Sequence, residues 1–151
     1  MIKNLKEFEE FIKRGIVKIQ KPDNSRANFL ILESEKDCSY LQELLDKIGI
    51  KENNANSVVK SCYDIIMELI RAKMLLDGYN ASGFGAHEAE ISYLKILGFN
   101  ENEILFADKM RFFRNGMLYY GTVLDKEYAE KVAGFTRKIL PKIKSLLKRM
   151  K

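Results

Sequence analysis

A bundle of about five to six helices with no substantial sheet is the architecture this sequence predicts, and three observations carry it. Apolar residues recur at spacings of three and four in almost every segment. Gly15, Gly49, Gly78, Gly98 and Gly121 fall at the ends of those segments. No stretch sustains the period-two alternation of a half-buried strand between turn residues. Short connections between long helices imply antiparallel packing, and 151 residues suit one domain, residues 1–151.

The elements follow in chain order. Residues 4–14 place Leu5, Phe8, Phe11 and Ile12 on one face and stop at Gly15. A brief extended piece, 16–21, leads to a turn at Pro22 and Asp23. A long helical segment then runs to Gly49, with Phe29, Leu30, Leu41, Leu44, Leu45 and Ile48 as its apolar positions and a polar middle at 33–39. After the Asn53, Asn54, Asn56, Ser57 loop, whose last residues are good caps, residues 58–77 are apolar over most of the circumference, as a helix central to a bundle must be. Gly78, Ser82, Gly83 and Gly85 break that pattern; shorter helices over about 86–97 and 100–118 follow, and a last helix starts at the cap Asp125. Its apolar stripe is Tyr128, Val132, Phe135, Ile139, Ile143, Leu146 and Met150, with Pro141 inside.

Composition narrows the function classes. Two prolines, 46% hydrophobic and 31% charged residues describe a globular chain. No apolar run reaches the length of a membrane span, and the acidic N-terminus lacks a signal peptide's core, so a cytoplasmic address is expected. Cys38 and Cys62 lie in apolar patterns away from other metal-ligand types, and His87 is the single histidine. Two buried thiols, no metal and no cofactor are the expectation. Asp64 and Glu68, one helical turn apart, lack an evident second ligand-bearing helix. The Gly83-Phe84-Gly85 loop lacks the other parts of a phosphate loop. The net charge of +5 is uneven: residues 131–151 hold eight cations and no anion, which leaves −3 on the rest.

Chemistry concentrates in residues 109–121. On a helix, Phe106, Met110, Phe113 and Met117 share one side, while Arg111, Arg114, Asn115 and Tyr119 share the other. Two arginines, an amide and phenols including Tyr120 form a donor-rich surface suited to phosphate or a nucleic-acid backbone. The alternative is that the arginines pair with carboxylates of neighbouring helices, Asp64 among them. On the last helix, Lys138 and Lys142 belong to a basic surface that either guides RNA or is a solvated face favoured at a helix C-terminus.

The order of these features, with Tyr63-Asp64 in the central helix, Gly78-Tyr79 before His87, then Arg114-Asn115 and Tyr119-Tyr120, resembles the HEPN family of small helical-bundle proteins. The resemblance implies a homodimer, and it implies either a metal-independent endoribonuclease or a binding-only relative, in systems such as toxin–antitoxin pairs. It also implies a possible minimal nucleotidyltransferase partner for a protein-interaction subunit. The family signature places a histidine four to six residues after the arginine. Here Arg114 and Asn115 match its start, but Tyr119, Tyr120 and Gly121 occupy the histidine's places. The catalytic candidates are therefore Arg114, Asn115, Tyr119 and His87, and the RNA- or phosphate-binding candidates are Arg111, Arg114, Tyr120, Lys138 and Lys142. Tyrosine, with an ordinary pKa near 10, is a weak base at neutral pH, so phosphate binding is kept and proton transfer is weakened. His87 either compensates by facing Arg114 or anchors the glycine loop before it.

Overall fold

The computed structural model describes residues 5–121 and 123–148, with the side chains of 118–120 and 148 outside that description. Among the described residues there are six α-helices: α1 (Phe8–Lys13), α2 (Asn24–Lys47), α3 (Ala55–Leu76), α4 (Ala86–Ile96), α5 (Glu101–Tyr120) and α6 (Lys126–Lys148). A single 3-10 turn, Glu52–Asn54, precedes α3. The all-helical expectation holds.

The expected absence of a sheet needs one correction. β1 (Val17–Ile19) and β2 (Tyr79–Ala81) pair antiparallel, with Val17 opposite Ala81 and Ile19 opposite Tyr79. Three residues per strand are too few to show period two, so the pattern was invisible in the sequence. What anchors the ribbon is a close approach of backbone. Gln20 donates its N–H to the Gly78 carbonyl at 2.8 Å, and a Cβ on Gly78 would stand 2.8 Å from the Gln20 carbonyl oxygen. With φ at +89°, that position requires glycine on both counts.

α3 is the axis of the molecule. Val58, Val59, Cys62, Ile65, Ile66, Leu69, Ile70 and Met74 are all buried, and α2, α4, α5 and α6 pack around them. Three helix starts are explained locally. Asp23 caps α2 by accepting from the Arg26 N–H at 3.0 Å, Asn100 and Glu103 form a capping box on α5, and Asp125 accepts from the Tyr128 N–H at 2.8 Å. The polar middle of α2 does not interrupt it. α3 starts earlier than expected, with Asn54 at the N-cap, and Asn56 lies inside it, its side-chain oxygen accepting the Leu124 N–H at 2.7 Å and tying the segment before α6 to the start of α3.

Antiparallel packing is correct for two pairs. The Asp23 N–H reaches the Leu75 carbonyl, joining the start of α2 to the end of α3. Lys142 pairs with Glu103 while Tyr128 packs on Phe113, so α5 and α6 run oppositely. α6 runs in the same sense as α3, since the Asn56 contact joins their two beginnings. α6 continues through Pro141, which supplies no N–H for the Arg137 carbonyl. Of the predicted α6 stripe, Val132, Ile139 and Ile143 are buried, Tyr128, Phe135 and Leu146 are half-buried, and Met150 lies outside the described residues. Cys62 is buried, but Cys38 is only half-buried, which corrects the expectation of two buried thiols.

Candidate functional site

On one flank of α3 the apolar surface gives way to Lys60, Asp64, Glu68 and Arg71, spaced four, four and three residues apart and therefore in a single row. α4 and α5 face this row. The result is a polar seam whose charged side chains differ in how firmly neighbouring helices hold them.

At one end the seam is closed. Arg71 grips Glu90 of α4 with two hydrogen bonds, from Nε at 2.6 Å and Nη2 at 3.0 Å. Glu90 is only 1% exposed, so this paired guanidinium satisfies a carboxylate that has left water. Nearby, burial and the Asp37 carboxylate push the Glu68 carboxyl up to about 7, and its Oε1 has no hydrogen-bond partner.

At the other end the seam is open. Arg114 of α5 lies with its side chain 17% exposed, its Nε buried and without a hydrogen-bond acceptor. Its nearest carboxylate, Asp64, stands 4.0 Å away, at the limit of an ion pair and beyond hydrogen-bonding distance. Burial raises the Asp64 carboxyl from its ordinary value, and Arg114, Lys60 and His87 pull it back. Beside Arg114 a cleft of about 320 Å³ is lined by Asn56, Ser57 and Lys60 of α3 and by Met117. Two cations thus border one concavity.

Arg111 is occupied differently. Its Nε donates to Asp108 on the same helix at 2.9 Å, and Nη1 is 3.9 Å from Glu88 of α4. The carboxylate-pairing alternative therefore describes Arg111 well and Arg114 poorly. Asn115 is exposed on α5 one residue beyond Arg114. Tyr119 and Tyr120 close the same helix, and their side chains lie outside the described residues.

His87 sits in the first turn of α4, exposed, with Nδ1 3.0 Å from the hydroxyl of buried Tyr63 and the two rings stacked at 11°. It is thus tied to α3, not to the glycine loop before it. It also belongs electrostatically to the Asp64 neighbourhood that contains Arg114. Burial, first, and then the Glu90 carboxylate raise the Tyr63 phenol above its ordinary range, so it remains protonated.

Lys138 and Lys142 are not brought to this site. Lys142 binds Glu103 at 2.5 Å in the first turn of α5, and Lys138 lies close enough to help hold that carboxylate ionised. Glu103 is 11 residues before Arg114, about 16 Å along the helix. The two lysines form a separate basic surface with an acidic partner of their own.

Tyr63, Lys60, Glu90 and Arg71 carry the site's geometry yet were not among its sequence candidates. The available signal was the polar row on a helix that is otherwise apolar all round. Among the described residues no helix is long and apolar enough to cross a membrane, and no group of three or more His, Cys, Asp or Glu side chains is arranged to hold a metal ion. No protein-family model, no curated protein and no solved structure matches this chain.

Proposed function

We propose that this chain is a HEPN-like protein that binds RNA or another phosphate-bearing chain at Arg114, with a degenerate ribonuclease signature. The observation that carries the reading is the state of Arg114. A guanidinium is ordinarily sequestered by a carboxylate when it is structural; this one is packed between α5 and α3, lacks a hydrogen-bonded acid, and borders a cleft shared with Lys60. A phosphodiester oxygen supplies the missing acceptor, and Lys60 adds a second positive charge beside it.

The same residues bear on chemistry. Metal-independent cleavage of RNA requires a proton acceptor for the attacking 2′-hydroxyl, a donor for the leaving oxygen and a cation for the phosphorane. Arg114 serves the last role. Tyr119 in the histidine's place does not accept a proton readily at neutral pH, so binding outranks cleavage. Endoribonuclease activity, if present, falls to Arg114 with Tyr119 or His87.

A second reading, a protein-interaction subunit that forms a homodimer or docks a minimal nucleotidyltransferase, is favoured by α2. Phe29, Leu32 and Tyr40 on its outer face are 61%, 58% and 73% exposed.

Purified protein incubated with labelled total RNA in EDTA, as wild type, Arg114→Ala and Tyr119→Phe, tests the proposal by reading retained complex and cleavage together. Retention by wild type and Tyr119→Phe, lost in Arg114→Ala, is the expected result. Equal retention by all three contradicts it, and no retention by any directs attention to the α2 face.

A further inference from the structure

A groove of about 670 Å³ runs between α2 and α6, both of which pack on α3. Cys38 and Gln42, one turn apart on α2, line one wall, and Arg137, Leu140, Pro141 and Lys144 of α6 line the other. The groove shares no lining residue with the Arg114 cleft, and Phe29 and Tyr40 fall on the far side of α2 from it. Cations of α6 are used in two ways. Lys131 pairs with Glu127 and Lys142 with Glu103, acids of the same chain. Arg137 and Lys144, which line the groove, have no ion pair or side-chain hydrogen bond among the described residues. They stand seven positions apart, two helical turns, so their side chains leave one face of α6 about 10 Å from each other. Between them lie Pro141 and the buried Leu140, with the half-buried Cys38 thiol opposite, so the space between the two charges is apolar.

A complementary ligand carries two carboxylates about 10 Å apart with apolar groups between them. On an extended chain, side chains at that distance are three residues apart and point to opposite faces. On a helix, side chains seven residues apart share one face at the same separation. A nucleic-acid strand supplies anions, but it joins them through polar ribose, which covers Leu140 and Pro141 poorly. We infer that the groove between α2 and α6 docks an acidic amphipathic helix of a partner protein, whose carboxylates pair with Arg137 and Lys144 and whose apolar side chains cover Leu140, Pro141 and the Cys38 thiol. This site stands independently of the RNA reading of the Arg114 cleft.

Cys38 reports occupancy of the groove, because its thiol lies in the wall while Cys62 is buried in the core. The probe is a synthetic helical peptide with two glutamates two turns apart and leucines between them. It is added to the full chain before iodoacetamide, and mass spectrometry of the digested protein reads alkylation at each cysteine. The peptide is expected to slow modification of Cys38. Combining Arg137→Gln with Lys144→Gln, neither of which is a core residue, should weaken that protection by about tenfold, the worth of two exposed ion pairs. Replacing the peptide's glutamates by glutamine should weaken it equally. Protection that is the same for both peptides, or the same in wild type and the double variant, overturns recognition by the two cations. Protection of Cys38 by a single-stranded RNA oligonucleotide but not by the peptide gives the groove to nucleic acid and overturns the helical partner. No protection by either overturns the groove as a docking site.

Discussion

Two arginines on the same polar seam show how one residue type is used in two ways. Arg71 meets Glu90 at 2.6 and 3.0 Å with both carboxylate oxygens engaged. Arg114 meets Asp64 at 4.0 Å with no hydrogen bond, and Asp64 is itself 47% exposed. The first pair is closed: the acid has no other partner as good as the arginine, and the arginine's fork is filled. The second is open: its acid is half in water and its Nε has no acceptor. A guanidinium in the first state is part of the scaffold, and one in the second is available to a ligand that brings its own oxygens.

Breaking the closed pair should have the largest effect. Arg71→Ala leaves Glu90 charged and buried without its partner, and should cost about 3 kcal/mol of stability in urea or thermal unfolding. Breaking the open pair should affect ligand and not fold. Arg114→Ala is expected to change stability by less than about 1 kcal/mol while weakening RNA binding by about tenfold or more. A large loss of stability from Arg114→Ala would show that both arginines are structural. The comparison sharpens further at Asp64. If this acid competes with phosphate for Arg114, Asp64→Asn should tighten RNA binding by about threefold, measured by filter retention or anisotropy.

Smaller effects separate orphaned atoms that await a ligand from those that do not. The Tyr128 hydroxyl is buried without a partner, like the Arg114 Nε, but its ring lies in the aromatic packing of Phe106 and Phe113. Tyr128→Phe should therefore leave RNA binding unchanged and raise stability by up to about 1 kcal/mol. Glu68 contributes a pH dependence of definite sign. Its carboxyl is raised to about 7 in the fold, so between the ordinary glutamate range and pH 7 the folded state holds more protons than the unfolded one. Stability should fall as pH rises through that window, and Glu68→Gln should remove this part of the decline in urea titrations at pH 5 and pH 8.

The contrast also explains what the sequence could reveal. Helices with a regular apolar stripe were legible, as were the turn at Asp23, the cap Asp125 and the end of α2 at Gly49, because each is set by residues within a turn or two. Arg114 was legible as a phosphate candidate through its local neighbours. Which of the arginines is free was not, since that depends on Glu90, Glu88 and Asp64 arriving from other helices. Arg111 and Arg114 look equivalent on a helical projection, yet Asp108 and Glu88 occupy one and leave the other. For the same reason Lys138 and Lys142 were grouped with the site by charge alone, when Lys142 binds Glu103 at the far end of α5 and Lys138 lies near that carboxylate. The bond between Tyr63 and His87 joins residues 24 apart in the chain and has no local signature.

The most direct test of the open-arginine claim is the salt dependence of RNA binding by wild type and Arg114→Ala. Removing a guanidinium that contacts phosphate should lower the affinity at every salt concentration and reduce the slope of log affinity against log salt by about one. Superimposable lines for the two proteins would contradict the account.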